Sequence, residues 1–233
     1  MATALIIGAT GLVGKSILAN AEKSSFFNQI YTIGRRENPN VSEKVKCLIE
    51  KDTDNWPTLI TNEASEASES KIFFSGFGST RASAGSAENF VKIDYGVNYE
   101  CAKAAKDAGV ETFVLISSGS ANENSLLLYL QTKGRLEKDI IDLKFQRTII
   151  LQPGALIGER DTPRFFEGIM QKVMKCVIDT PLSFLGYPIR GEDVGRIAVE
   201  VAEKQPSNVA ANEPIVEIIT AKELTEMAKK LHE

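Results

Sequence analysis

The chain has 233 residues, of which 43% are hydrophobic and 25% charged, with a formal net charge of -4 at pH 7. This composition predicts a soluble globular chain, excludes disordered and collagen-like chains, and gives no support to nucleic-acid binding. No apolar run approaches the roughly 20 residues of a membrane-spanning helix, and three widely spaced cysteines predict neither a disulfide framework nor a metal site.

The first elements in the chain form a strand-turn-helix unit. Residues 3–8 are continuously apolar, which is typical of a buried strand, and residues 12–21 carry apolar side chains at helical spacing. The same alternation continues with predicted strands at 30–33, 44–49, 71–74, 112–116 and 146–151 and predicted helices at 56–60, 87–108 and 126–143. Apolar strands alternating with helices predict an α/β chain with a Rossmann-type, doubly wound parallel sheet.

We predict one domain over residues 1–233, with a core at 1–153 and a small C-terminal substrate lobe at 154–233. Residues 62–70 (NEASEASES) are predicted to be a solvated loop. In the lobe, apolar side chains recur at helical spacing over residues 165–177, and a second apolar cluster spans 182–187. The last helix begins at a capping box formed by Thr220 and Glu223.

The turn between the first strand and the first helix has the spacing GxxGxxG over residues 8–14. Glycine permits a positive φ and lets a pyrophosphate approach the backbone, and the helix N-terminus offers free amide donors to the anion. A tight turn of no special function would look the same. Its position at the first strand-to-helix turn of an alternating chain nevertheless favours dinucleotide binding.

The predicted second strand is followed by Arg35, Arg36 and Glu37. An acidic residue at this point usually holds the ribose 2′-hydroxyl of NAD, whereas arginine accommodates the 2′-phosphate of NADP. Two guanidiniums therefore favour NADP(H). In the alternative interpretation, both arginines are solvated charges and Glu37 takes the ribose.

A serine-rich strand end, residues 117–120, is followed by Tyr129 and Lys133. Positions i and i+4 share one face of a helix, so both side chains can face the same cleft. A nearby ammonium favours the phenolate form of a tyrosine. One such pair could arise by chance, but its place after a central strand, opposite the glycine turn, favours a catalytic role.

These motifs resemble the short-chain dehydrogenase/reductase superfamily, in particular its atypical members with a GATGxxG turn. Residues 78–81 (GSTR), 129–137 (YLQTKGRLE) and 152–160 (QPGALIGER) are similar to the Tat-interacting oxidoreductase group, and most of all to its fungal relatives catalogued in the mitochondrial proteome. The resemblance covers nearly the whole chain. It implies a proton-transferring tyrosine at Tyr129 and a ribose-binding lysine at Lys133.

The resemblance also implies a serine that polarises the carbonyl, for which we choose Ser118, with Ser117 and Ser120 as alternatives. The implied cofactor-binding residues, besides Tyr129 and Lys133, are Gly8, Ala9, Thr10, Gly11, Leu12, Val13, Gly14, Arg35, Arg36, Asp52, Phe77, Gly78, Pro153 and Leu156. Asp94 stands where the superfamily has an asparagine, so a proton relay through that position is in doubt.

The resulting hypothesis is an NADP(H)-dependent oxidoreductase acting on a small carbonyl or alcohol substrate. The alternative is an NADPH-binding redox-sensing protein with little turnover, and sugar-nucleotide epimerisation is a third class. The basic residues Arg164, Lys172 and Lys175 allow peripheral membrane contact as well as ordinary packing. We expect the cytoplasmic face of the mitochondrial outer membrane, no cleavable targeting segment, and either a monomer or a homodimer.

Overall fold

The computed structural model describes residues 1–67, 70–158, 187–204 and 213–233. Its strands are short, and two of them, Ala2–Ile7 and Arg147–Leu151, are buried along their whole length. The strands are β1 (Ala2–Ile7), β2 (Phe27–Gly34), β3 (Val45–Ile49), β4 (Ser70–Ser75), β5 (Thr112–Ile116), β6 (Arg147–Leu151), β7 (Leu156–Ile157), β8 (Ile189–Arg190) and β9 (Ile215–Ile219).

Seven of these strands form one parallel sheet in the order β3-β2-β1-β4-β5-β6-β9, and β7 pairs with β8 in a separate parallel ribbon. The chain leaves β1 toward one edge and returns beside it as β4, so the direction of winding reverses between β1 and β4. In open parallel sheets a ligand crevice forms at such a reversal, outside the carboxyl ends of the strands. The predicted fold class is confirmed.

The helices pack on both faces of the sheet. They are α1 (Leu12–Lys23), α2 (Trp56–Glu66), α3 (Arg81–Ala84), α4 (Ala87–Val91), α5 (Asn98–Asp107), α6 (Leu128–Asp142), α7 (Gly191–Glu203) and α8 (Ala221–Lys230). One buried cluster joins α1, α7 and α8 to the sheet, and the other joins α2, α5 and α6 to the opposite face. The capping box of Thr220 and Glu223 is confirmed at the start of α8.

Two predicted elements differ from those observed. The predicted loop at 62–70 is wrong in its first half, because α2 continues to Glu66 and buries Glu63 and Ala64. The predicted single helix at 87–108 is interrupted by a π-helical turn, Lys92–Val97. The side-chain amide of Asn98 donates to the carbonyl of Ile93 at 3.1 Å, which supports this wider turn.

Candidate functional site

The glycine turn leaves no room for a side chain at Gly8 or Gly14. Gly8 has a φ of +80°, and a Cβ atom there would lie 2.5 Å from the carbonyl carbon of Gly76 after β4. A Cβ atom on Gly14 would lie 2.0 Å from the Gly8 oxygen. Gly11 precedes α1 without a side-chain cap. The turn therefore brings the helix amides close to the strand end, as anion binding requires.

An open cleft with about 350 Å³ of space, part of it open to solvent, lies beside this turn at the carboxyl ends of β1 and β2. Arg36 reaches back over it, with its Nη2 atom 3.3 Å from the hydroxyl oxygen of Thr10, and the Arg35 guanidinium lies 5.9 Å from the ring centre of Phe77. Both arginines are solvent-exposed. The cleft is lined by Gly8, Ala9, Thr10, Ile33, Gly34, Arg35, Arg36, Asn38, Trp56 and Phe77.

The far wall of the cleft is aromatic. Trp56 is buried and meets Phe77 edge to face, with 4.9 Å between ring centres, and its indole N–H donates to the carbonyl of Glu50. This hydrogen bond fixes the orientation of the indole ring against which Phe77 packs. Asp52, which we predicted to contact the cofactor, is exposed, does not line the cleft, and accepts a hydrogen bond from the Asp54 amide at 3.0 Å.

Leu12, the first residue of α1, joins the glycine turn to the C-terminal ribbon. Its side chain lies so close to Gly158 and Gly191 that a Cβ atom on either glycine would be 2.4 or 2.5 Å from a Leu12 carbon. Gly158 directly follows β7, and Gly191 begins α7 directly after β8. The N-terminal turn and the ribbon are therefore in direct contact.

Lys133, on α6, is buried and forms an ion pair with Asp94 of the π-helical turn, at 2.9 Å between Nζ and Oδ1. The other Asp94 oxygen accepts hydrogen bonds from the amide and the hydroxyl of Ser79, at 2.7 and 2.5 Å. A Cβ atom on Gly78 would lie within 3.3 Å of Lys133 Nζ. The loop after β4, which supplies Phe77 to the cleft, is thus fixed to Lys133 through Asp94.

Tyr129 lies one turn before Lys133 on α6 and is 38% exposed. Its ring lies 5.8 Å from the ring of Phe90, which is fully buried on α4. The i, i+4 spacing puts Tyr129 and Lys133 on one face of the helix, as the sequence predicted. Tyr129 is therefore held by packing against Phe90 while remaining open to solvent.

The three candidate serines follow β5. Ser117 is buried, Ser118 is partly exposed, and Ser120 is exposed with a φ of +65°. The amide of Gly119 donates to the carbonyl of Pro153 at 2.7 Å, so the serine loop is tied to the segment that leads to Leu156 in β7. The predicted residues Ser118, Pro153 and Leu156 therefore belong to adjoining segments.

A buried carboxylate, Glu137, lies next to this group and was not among the residues predicted from the sequence. Glu137 lies one turn after Lys133 on α6. Both of its carboxylate oxygens accept hydrogen bonds from the side-chain amide of Gln152, whose Nε2 atom lies 3.1 and 2.9 Å away. Burial raises the pKa of Glu137 above its ordinary value, and the Gln152 hydrogen bonds and the charge of Lys133 offset only part of this rise. The spacing Tyr129, Lys133, Glu137 was the available signal, because all three lie on one helical face.

A family model described as the NAD dependent epimerase/dehydratase family matches residues 4–125, which hold the glycine turn and the first five strands of the sheet. The chain belongs to this family. A relative named mitochondrial protein FMP52-1, from Scheffersomyces stipitis, is 51% identical over 98% of this chain and 100% of its own length.

Two solved structures are similar to this chain over nearly its whole length. UDP-glucose 4-epimerase from Thermotoga maritima, solved with UDP-glucose, has a TM-score of 0.66 and 14% identity, covering 98% of this chain and 82% of the epimerase. A short-chain dehydrogenase family protein from Francisella tularensis has a TM-score of 0.63 and 15% identity, covering 96% and 98% of the two chains. At these identities the likeness shows the fold.

Several predictions concern residues that the structure does not describe. The helical spacing at 165–177, with Arg164, Lys172 and Lys175, lies outside the described residues, as does 182–186 of the second apolar cluster. Within the described ranges, no helix is both long enough and apolar enough to cross a membrane.

Proposed function

We propose that this chain is an NADP(H)-dependent oxidoreductase of the short-chain type, acting on a small molecule that carries a carbonyl or alcohol group. The observation that supports the proposal is the arrangement along one edge of the sheet: the cleft beside Arg35 and Arg36, then Lys133 with Asp94, then Tyr129. Ligands bind at this edge in open parallel sheets. Binding of NAD or NADP in general agrees with the family; the preference for NADP(H) is the proposal.

The chain's own residues fit a dinucleotide. Gly8 and Gly14 let β1, the loop after β4 and the start of α1 approach closely, which sets the N-terminus of α1 beside the strand end where a pyrophosphate would bind. The exposed guanidiniums of Arg35 and Arg36 suit a phosphate dianion. The ring of Phe77, held in the cleft wall by Trp56, supplies apolar surface for a base. We assign the adenosine side to Phe77 and Gly78, and we keep Asp52 as a proposed adenine contact although it lies outside the cleft lining.

NADPH supplies a hydride when it is bound. In our proposal Tyr129 gives a proton to the carbonyl oxygen, Ser118 donates a hydrogen bond to the same oxygen, and Lys133 binds the nicotinamide ribose. Pro153 and Leu156 would back the nicotinamide. Asp94 fixes the position of the Lys133 ammonium through the 2.9 Å ion pair. Residues 154–233 would serve as the substrate lobe of the single domain.

The test is an equilibrium titration with NADPH and with NADH, followed by nicotinamide fluorescence. We expect NADPH to bind more tightly, and the double variant Arg35→Ala, Arg36→Ala to lose most of this preference while NADH binding changes little. Lys229→Ala is the matched control. Lys229 is an exposed charge on α8, which follows β9, the edge strand farthest from β2 and β3. An unchanged preference in the double variant would refute the assignment of the 2′-phosphate.

Turnover is tested on a panel of apolar aldehydes and quinones with the wild type and Tyr129→Phe. Turnover that disappears in Tyr129→Phe supports the oxidoreductase. Tight NADPH binding without any turnover in the wild type would favour the redox-sensing alternative, in which the protein binds the nucleotide and a partner.

Sugar-nucleotide epimerisation is the second candidate, because the family model carries that name and a structural neighbour was solved with UDP-glucose. Two observations weigh against it. The chain matches 82% of that neighbour's length, and the paired arginines suit NADP better than NAD. Conversion of UDP-glucose without added nucleotide would favour the epimerase.

We also propose that the protein works at the mitochondrion, on the cytoplasmic face of the outer membrane, as a relative of the Tat-interacting oxidoreductases. The relative at 51% identity is named mitochondrial. Fractionation followed by protease treatment of intact mitochondria tests this: we expect co-sedimentation, sensitivity to protease, and release by high salt. Protection from protease would place the protein inside the organelle.

A further inference from the structure

An apolar patch lies at the start of α6, beside Tyr129. Leu126 is fully exposed, Leu127 is 65% exposed, and Tyr129, two residues further on, is open to solvent as well. Single exposed leucines are ordinary, whereas adjacent ones mark a surface that another molecule covers. We call Leu126, Leu127 and Tyr129 the α6 patch. In the described ranges, the other exposed large apolar side chains lie on other parts of the sheet: Met1, Ile49, Val216 and Ile218.

The loop that presents the two leucines is held in place by its own hydrogen bonds. The amide of Asn122 donates to the carbonyl of Leu130 on α6 at 3.0 Å, and the hydroxyl of Ser125 accepts from the amide of Leu127 at 3.1 Å. A Cβ atom on Gly134 would lie only 2.3 Å from the carbonyl carbon of Asn122, so loop and helix are in close contact. The leucines are therefore presented to solvent by a fixed loop.

The same loop joins the α6 patch to the candidate serine. Ser118 lies near its start, after β5, and Leu127 lies at its end, directly before α6. Because consecutive Cα atoms are 3.8 Å apart, the Cα atom of Leu127 lies within about 8 Å of that of Tyr129, and that of Leu126 within about 11 Å. A substrate whose carbonyl oxygen meets Tyr129 and Ser118 therefore has both leucines within reach of the groups on its carbonyl carbon.

The charges around the α6 patch favour an uncharged apolar ligand. Glu123 is the only charged residue in the sequence from 117 to 132, and it pairs with Lys138 at 3.0 Å. An anionic lipid surface and a phosphate-bearing sugar both bind through cationic side chains. This stretch therefore fits the aliphatic part of a small molecule better than either of them.

We propose that Leu126 and Leu127 bind the aliphatic chain of the substrate, and that the substrate class is medium-chain aldehydes and ketones. The inference rests on the proposed oxidoreductase and names its substrate class. Complete burial of one methylene group strengthens binding about fourfold, and an open patch that covers one side of the chain should give about twofold. The two leucines touch the chain and not the reacting atoms, so they determine specificity.

The dependence of turnover on chain length tests this assignment. kcat/KM is measured with NADPH for propanal, hexanal and octanal, in the wild type and in the double variant Leu126→Ser, Leu127→Ser. We expect kcat/KM of the wild type to rise about twofold per added carbon, and the double variant to lose most of this rise. Ile218→Ser, on β9, replaces another exposed apolar side chain and should show the rise of the wild type. An equal rise in the double variant overturns the assignment.

Binding is tested without turnover by methyl NMR spectra of leucine-labelled protein. The single variants Leu126→Ser and Leu127→Ser identify the two signals, and both leucines are exposed, so we expect these variants to fold and to unfold in urea as the wild type does. With 1-octanol both signals should shift, and with ethanol at equal concentration neither should. Signals that stay in place with 1-octanol overturn the proposal.

Two further outcomes separate this inference from the proposed function. Turnover that does not depend on chain length in the wild type overturns the substrate class alone, whereas shifted leucine signals without turnover of any aldehyde overturn the oxidoreductase and retain the apolar binding patch. Sedimentation with vesicles of phosphatidylcholine and cardiolipin that is lost in the double variant would overturn the assignment to a substrate and favour a membrane contact.

Discussion

The Nζ atom of Lys133 lies 2.9 Å from Oδ1 of Asp94, and neither side chain is accessible enough to exchange this partner for water. Replacing Asp94 by alanine would leave a buried ammonium without a counter-charge, which costs about 3–5 kcal/mol in comparable cases. We therefore expect Asp94→Ala to lower the free energy of unfolding by that amount in urea. Asp94→Asn, which keeps an acceptor near Lys133, should cost less.

The exposed pair of Glu100 and Lys103 on α5 is the control, since surface ion pairs contribute little. Glu100→Ala should leave the unfolding midpoint nearly unchanged. A comparable loss in both variants would mean that the burial of Asp94 and Lys133 adds nothing to the strength of their pairing.

Gly14 and Gly96 give a second prediction, because they are both helical glycines with opposite surroundings. A Cβ atom at Gly14 would meet the Gly8 oxygen at 2.0 Å, whereas one at Gly96 would meet nothing within 4 Å. Gly14→Ala should therefore displace α1 from β1, lower stability and abolish nucleotide binding. Gly96→Ala should bind normally and unfold at the same or a higher urea concentration. Normal nucleotide binding by Gly14→Ala would contradict the close approach of turn and helix.

The buried carboxyl of Glu137 predicts the pH dependence of stability. Burial raises its pKa in the folded state above the ordinary value of 4.5, so the folded protein holds this proton more tightly than the unfolded chain. Its contribution is fully present below about pH 4.5 and is lost as pH rises through the folded pKa. We expect Glu137→Gln to be more stable than wild type at pH 8, by an increment that shrinks toward pH 4, in urea unfolding curves. An increment independent of pH would contradict the shift.

The cysteines give a fourth prediction. Burial, with a smaller effect from Glu100, raises the pKa of the Cys101 thiol to about 12, whereas Cys47 is partly exposed. Alkylating reagents attack the thiolate, so Cys101 should not react in the folded protein. In a Cys176→Ser background we expect one equivalent of iodoacetamide per chain at pH 8 and two in urea, by mass spectrometry. Two equivalents without urea would show that α5 opens readily.

Features that depend only on residues close together in the sequence could be predicted from it. The turn at residues 8–14 and the capping box of Thr220 and Glu223 are set by local backbone requirements, and both have the expected place in the fold. The last turn of α2 was not predicted, because it is stabilised by a contact with a residue far away in the sequence. Residues 62–66 lack an apolar stripe, and Glu63 is buried because Lys46, on β3, pairs with it at 3.0 Å. That ion pair joins residues 17 positions apart.

The site's electrostatics depend on contacts that no local pattern records. The sequence indicated Lys133 and the unusual Asp94 separately, but their ion pair requires the π-helical turn, which Asn98 supports by bonding to the carbonyls of Ile93 and Asp94. The role of Gln152 as the donor to Glu137 likewise depends on how β6 ends beside α6. Tertiary packing decides both.

The contact of Leu12 with Gly158 and Gly191 has a consequence for protein engineering. Libraries that aim to alter substrate range would diversify residues 154–233, the proposed substrate lobe, and these two glycines would look like free positions in the sequence. A side chain at either one would press on Leu12 and so on the turn at residues 8–14. Variants selected there would lose nucleotide affinity before gaining a new substrate, so both glycines should be held constant while the rest of the lobe is randomised.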